Sequence, residues 1–199
     1  MDKQLIISVG REYGSGGHEI AERLSRHYGI QMLDHNLLDE IAAAKNMDMQ
    51  NLKNLDEKHR SRLASRTVRG YSSSPEENLY LLQFDHLKNK AASGESFVIV
   101  GRCSEAILKG YDSLVSVFVL GDMDRKIERI MRLYQLSQEQ AVRKIHEKDM
   151  KRKRYHNGHC EGKWGDSRNY DISINSSKLG IEGTVGLLAD YIDRRQAQR

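Results

Sequence analysis

The sequence is sparing with several residue types: one proline, two cysteines, one tryptophan and three phenylalanines in 199 residues. Two cysteines without a CxxC spacing, Cys103 and Cys160, exclude a disulfide framework and are expected as thiols in a reducing compartment. Long apolar runs are missing too, since residues 97–100 and 117–120 fall far short of the roughly 20 that cross a bilayer. Residues 1–9 carry Asp2 and Lys3 and pass straight into a strand-like segment, without the apolar stretch and cleavage site of a secretory signal. A cytoplasmic protein with no membrane partner is therefore expected. Hydrophobic residues at 38% and charged residues at 30% exclude disorder and collagen, and the length fits one domain with its own core.

Net charge is only +4, but it is segregated. Between Asp122 and Arg154 eleven Lys or Arg stand against six Asp or Glu, leaving the rest of the chain close to neutral. Such a stretch suits a polyanion, and equally a solvated pair of helices.

The order of elements follows from hydrophobic spacing. Leu5, Ile6, Ile7 and Val9 form an apolar β-branched run, GREYGSGG follows, and Ile20, Ala21, Leu24 and Tyr28 then repeat at helical spacing. Residues 31–33 read as a second strand ending at Asp34, and Leu37, Leu38, Ile41 and Ala42 as another helix, so the start is a βαβ unit. Residues 46–93 read as a helical insertion broken by the turn-rich residues 70–78, GYSSSPEEN, which hold Pro75. Residues 97–100, 114–120 and 170–174 are β-rich; Ile127, Ile130, Met131 and Tyr134 mark a helix, and Ile181, Val185, Leu188, Ala189 and Ile192 the closing one. HNGHCEGKWGDSR, residues 156–168, reads as a glycine-containing loop. The sum is a single α/β domain of about five parallel strands spanning residues 1–199, with two inserted parts.

Gly10, Gly14, Gly16 and Gly17 crowd between a strand and a helix. Glycine lets backbone N–H groups turn inward, and the helix that follows aims its positive end at the same spot, so the loop is built for an anion. It departs from G-x-x-x-x-G-K-[ST], because Gly17 stands at the Lys position with His18 and Glu19 beside it. Arg11, whose guanidinium forks phosphate oxygens, and His18 at the helix start are the replacement cations. The dinucleotide pattern fits less well, as Glu19 occupies the place of the third glycine.

IISVGREYGSGG, GIQMLDHNLLDEIA, VIVGRCSEAIL, RKIERIM, DMKRKRY and KWGDSRNYDISINSSKLGIE, in that order from Gln4 to Ile192, resemble the cytidylate kinase-like family of the nucleoside monophosphate kinases. The resemblance implies a three-layer P-loop kinase fold with a five-stranded parallel sheet in the order 2, 3, 1, 4, 5. It implies a helical monophosphate-binding insertion (residues 46–93) and a lid (about residues 148–168). ATP with Mg2+ would be the cofactors, a nucleoside monophosphate, CMP or dCMP first, the acceptor, and no protein ligand for a metal is identified. Gly10, Arg11, Gly14, Ser15, Gly16, Gly17, His18 and Glu19 would hold the ATP phosphates. Asp34 and Arg102, the latter following Gly101, would face the acceptor; Arg11, Arg129, Arg152 and Asp149 would serve the transfer. Trp164 and Asn175 match family positions without an assigned role. Val100 stands where cytidylate kinases carry Asp, and Gly17 and Glu19 where they carry Lys and a hydroxyl.

Several readings stay open at this level. Glu19 is an oxygen ligand for Mg2+ or a solvated residue, and Asp34 an acceptor group or a helix cap. Arg60, Arg62, Arg66 and Arg69 grip an acceptor phosphate or line a polar face. His156, His159 and Cys160 invite a metal, but no second ligand pair follows, so no metal site is expected. RNA binding, with Tyr155 and Trp164 as stacking platforms, leaves the glycine loop unexplained. A nucleotide-gated regulator on the same fold accommodates the missing Lys.

Overall fold

The computed structural model describes residues 3–34, 37–38, 40–41, 67–68, 71–72 and 75–199. Strand β1 (Ile6–Arg11) leads through the glycine loop into helix α1 (Gly17–Tyr28), which Gly29 ends in the left-handed conformation before β2 (Gln31–Leu33). A short antiparallel pair, β3 (Thr67–Val68) and β4 (Tyr71–Ser72), precedes α2 (Pro75–Ala92). There follow β5 (Phe97–Val100), α3 (Ser104–Ile107), β6 (Leu114–Leu120), α4 (Met123–Tyr134), α5 (Gln138–His159), β7 (Ile172–Asn175) and α6 (Ser176–Ala197).

The main sheet runs β2-β5-β1-β6-β7, every pair parallel. Counting main-sheet strands alone, this is the order 2, 3, 1, 4, 5 that the resemblance implies. The alternation of a strand divides the core into two layers. Ile6, Phe97 and Ile99 point to one face with Leu33, Leu37 and Leu87, whereas Ile7, Val9, Val98 and Val100 point to the other with Ile20, Leu24, Leu188 and Ile192. Helices on both faces give three layers, and near-continuous apolar strands are what a parallel sheet buried on both sides requires. The chain leaves β1 for the edge strand β2, returns to β5, then crosses to β6 and β7. That reversal opens a crevice at the carboxyl ends of β1 and β5, where ligands of such sheets bind.

Two boundaries differ from the sequence reading. Helix α2 begins at Pro75, inside the expected turn, because a proline at the first helical position gives up only an N–H that has no helical partner. Helix α5 extends to His159, through the first residues of the expected loop. Its last turn is held by the Cys160 amide donating to the His156 carbonyl at 2.9 Å, and the Asn157 side chain accepts from the Trp164 amide at 2.8 Å. Residues 46–66, with Arg60, Arg62 and Arg66, and also Arg69, lie outside the described residues.

Candidate functional site

The crevice is floored by the glycine loop. Gly14 (φ 87°) and Gly16 (φ 80°) adopt left-handed backbone that L side chains rarely enter. A Cβ on Gly14 would press on Lys126 at 3.1 Å, and one on Gly16 would collide with Ile181. Gly10 lies within β1, where a Cβ would meet Phe118 at 2.8 Å. Ser15 donates its hydroxyl to the Glu12 carbonyl at 2.9 Å, and its own carbonyl accepts from Ser176 Oγ at 2.6 Å, which ties the loop to α6. Gly16 is the N-cap of α1 and provides no side-chain cap, so the amides of the first turn and the positive end of the helix face the crevice.

Arg11 closes β1 and turns its side chain across the loop. A Cβ on Gly17 would collide with the Arg11 stem and one on Gly101 (φ 76°) with its guanidinium, so both glycines make room for this arginine. Arg11 Nε is shut off from solvent and has no hydrogen-bond partner among the described residues. Loss of water, followed by repulsion from Arg152, pushes its pKa down to about 9, with Arg102 adding to the repulsion and Asp34 and Asp149 opposing it. Arg152 Nη1 donates to the Arg11 carbonyl at 3.0 Å, and its guanidinium lies 5.4 Å from the Tyr13 ring centroid. Burial holds the Arg152 pKa below the usual arginine value. Of the five cations in residues 148–154, Arg152 alone is turned inward; Lys148, Lys151, Lys153 and Arg154 are exposed.

Asp149 docks α5 on the loop. Its Oδ1 accepts from the Tyr13 amide at 2.6 Å, and its Oδ2 lies 3.4 Å from Lys126 Nζ. Lys126 is buried and also meets Glu12 Oε2 at 3.0 Å, the oxygen that accepts from the Gly121 amide at 3.2 Å. Arg152 and Asp149 are 3.7 Å apart. Burial raises the Asp149 pKa even though the Tyr13 amide, Lys126 and Arg152 all favour its charged form. Sequence reasoning missed Lys126 and Glu12. The available signal was Lys126 standing one helical turn before Ile130, a lysine on the buried stripe of α4.

The remaining expected residues gather round the same crevice. Arg129 Nη2 meets Glu19 Oε2 at 2.7 Å, while Arg23 takes Oε1 at 2.8 Å. The hydrogen bond from Arg129 holds the Glu19 carboxyl below its usual pKa. Both Glu19 oxygens are thus engaged by guanidinium groups. His18 Nδ1 meets Asp34 Oδ2 at 3.2 Å, a pairing of loop and β2 end that leaves the Asp34 side chain 11% exposed. Arg102, itself left-handed at φ 59°, donates to Gln83 Oε1 at 3.3 Å.

Two residues without an expected role acquire one. Asn175 caps α6 by accepting the Ser177 amide at 3.0 Å and donates to Asp122 at 2.7 Å. Trp164 packs edge-on against Phe118, with ring centroids 5.4 Å apart, so its indole is engaged in packing.

A second group of reactive side chains lies at the far end of α5. His156 Nε2 and Glu105 Oε1 are 2.5 Å apart and both side chains are buried. Burial opposes protonation of His156, yet the bond to Glu105 and its charge raise the His156 pKa overall. The neighbouring Cys103 thiol, remote in sequence, holds the Cys160 pKa below the usual thiol value, and Cys160 together with burial pushes Cys103 up. A cavity of about 550 Å³ opens here, lined in part by Glu105, His156, Cys160, Lys109, Arg168 and Arg195. None of its lining residues belongs to the glycine loop.

Similarity to known proteins agrees with this arrangement. A cytidylate kinase of Pyrococcus horikoshii is 27% identical over 192 residues, covering 96% of this chain and 89% of that protein. One from Thermococcus sibiricus is 28% identical over 193 residues, with the same shares covered. The crystal structure of an uncharacterized protein from Eubacterium ventriosum superposes with a TM-score of 0.76 at 36% identity, over 96% of this chain and 99% of that one. A gluconokinase from Sinorhizobium meliloti shares the fold, with a TM-score of 0.56 at 12% identity over 99% of this chain and 98% of that one. The sequence pattern of the cytidylate kinase-like family matches residues 6–178, most of the chain, and the protein belongs to that family.

Proposed function

We propose that the protein transfers a phosphoryl group from ATP to a nucleoside monophosphate, with CMP or dCMP as the first acceptor. The observation that carries this reading is Arg11, whose Nε lacks a partner among the described residues and whose guanidinium lies in space that Gly17 and Gly101 leave free, repelled by Arg152. A cation held out of water beside other cations is stabilised by an anion placed among them, and the uncapped start of α1 faces the same point.

ATP, with Mg2+, brings the transferable phosphoryl group and the metal charge that balances its oxygens. The backbone amides from Gly14 to His18 hold the phosphates, with Ser15, Gly16 and Gly17 between them. Arg11 takes the place of the absent loop Lys. Arg152 completes the charge balance on the transferring group, oriented by Asp149, and Arg129 braces the helix start through Glu19. Asp34 and Arg102, at the carboxyl ends of β2 and β5, take the acceptor. Docking of α5 on Tyr13 keeps water from the phosphoryl group. Nucleotides are the partners in this reading, and nucleic acid is not among them.

A coupled ADP-release assay over a panel of monophosphates tests it. Turnover is expected with CMP or dCMP, and Arg152→Ala should lower kcat by about 100-fold or more. Nucleotide binding without transfer to any monophosphate sinks the kinase reading and selects the regulator.

A further inference from the structure

Glu105 follows β5, and His156 and Cys160 stand at the end of α5, so the fold joins a carboxylate to a short ligand pair from a distant part of the chain. A lone HxxxC pair is too small for a metal site, and the third ligand comes from some fifty positions upstream. The Glu105 oxygen, the His156 nitrogen and the Cys160 sulfur all lie within 4.8 Å of one another. Zinc bonds of about 2.0–2.3 Å place tetrahedral ligand atoms about 3.3–3.8 Å apart, so small side-chain rotations draw this set onto one ion. Cys103 is not one of this set, so three protein ligands leave the fourth position of a tetrahedral ion to water. The Cys103 backbone is left-handed, φ 57°, directly after Arg102 at φ 59°, a conformation that non-glycine residues keep only where the surroundings hold it. Cys160 is partly open, and the cavity that it lines with Glu105 and His156 gives an ion a way in.

We propose that Glu105, His156 and Cys160, with water in the fourth position, bind a divalent ion of the zinc class that clips the end of α5 to the segment after β5. A sulfur, an imidazole and one carboxylate select zinc over magnesium or calcium, which prefer all-oxygen sets. Binding ionises the Cys160 thiol and releases its proton to solvent. The site is independent of the phosphoryl-transfer reading, because none of its ligands has been assigned to that chemistry.

Metal-free protein, kept reduced, is titrated with cobalt(II) and then zinc. The expected result is one cobalt per chain, with the near-ultraviolet absorption of thiolate-to-cobalt charge transfer and the strong visible bands of a tetrahedral ion, both abolished as zinc displaces it. Zinc should also shield Cys160, followed in the Cys103→Ser variant, from a chromogenic thiol reagent. Cys160→Ser should weaken cobalt binding by about 100-fold or more, whereas Cys103→Ser should keep the charge-transfer band. Circular dichroism of each variant shows that it is folded. Natural protein that gives no thiolate band, or a Cys160 thiol that reacts equally fast with and without zinc, overturns the proposal. So does a Cys160→Ser variant that is folded and binds cobalt as tightly as the natural chain.

Discussion

The two ends of the basic half of helix α5 make a contrast. Around Asp149 and Arg152 the helix meets the glycine loop through paired charges of both signs, yet Arg11 is left with an unpartnered Nε among the described residues. One turn on, His156 meets a carboxylate that satisfies it, with Cys160 beside the pair. The first arrangement is unfavourable until an anion arrives; the second holds itself together through protons that a metal can replace. A single straight element thus presents two chemistries, separated by about 6 Å at 1.5 Å per residue.

The sharpest way to break the contrast is Arg11→Met, which keeps most of the stem and removes the charge. Phosphoryl transfer should fall about 1,000-fold, yet the nucleotide-free protein should melt at a higher temperature. The sign follows from the pKa pushed down from 12.5 to about 9: the folded state disfavours the charged form, and this penalty is present below pH 9 and disappears as pH rises toward 12.5. Calorimetry that shows a lower melting temperature would refute the strained-cation account.

Gly101→Ala perturbs the same cation without deleting it. The added Cβ meets the Arg11 guanidinium in a backbone region unfavourable by about 1–2 kcal/mol, and the displaced group should lower kcat about 100-fold. Unchanged steady-state kinetics would mean that Arg11 has no catalytic position to lose. Lys126→Met leaves Glu12 and Asp149 without their shared cation; a loss of about 3 kcal/mol in urea unfolding is expected, since both carboxylates are largely buried. A loss below about 1 kcal/mol would show that the three charges do not anchor the helix.

The smallest effect belongs to Glu19. Its pKa is held down, so its bonds to Arg129 and Arg23 stabilise the fold above pH 4.5, and that contribution disappears as pH falls through the depressed value. Glu19→Gln should flatten this acid limb, by at most about 1 kcal/mol because the carboxylate is a third exposed. An unaltered acid limb would assign the loss of stability to other carboxylates.

How much of this was legible beforehand depended on the range of the interaction. Strand and helix periods are local, so β1, α1, β5, β6 and the strand order implied by the family resemblance match the structure. The glycine loop was readable because four glycines between a strand and a helix have few other uses. Which of five clustered cations turns inward was not readable, because helical phase alone does not say where α5 meets the loop; contact with Asp149 and Tyr13 decides it for Arg152. Lys126 escaped because a lysine on a polar-looking helix reads as solvated until its two carboxylates arrive from elsewhere. Glu105 likewise meets His156 only after the sheet has brought the segment after β5 beside α5.

The bond from Arg152 to the Arg11 carbonyl has a kinetic side. Under the proposed reading, a nucleotide reaching the loop would have to break this bond, and encounter would then be followed by a unimolecular opening. Stopped-flow binding rates should then level off at high nucleotide concentration instead of climbing in proportion to it.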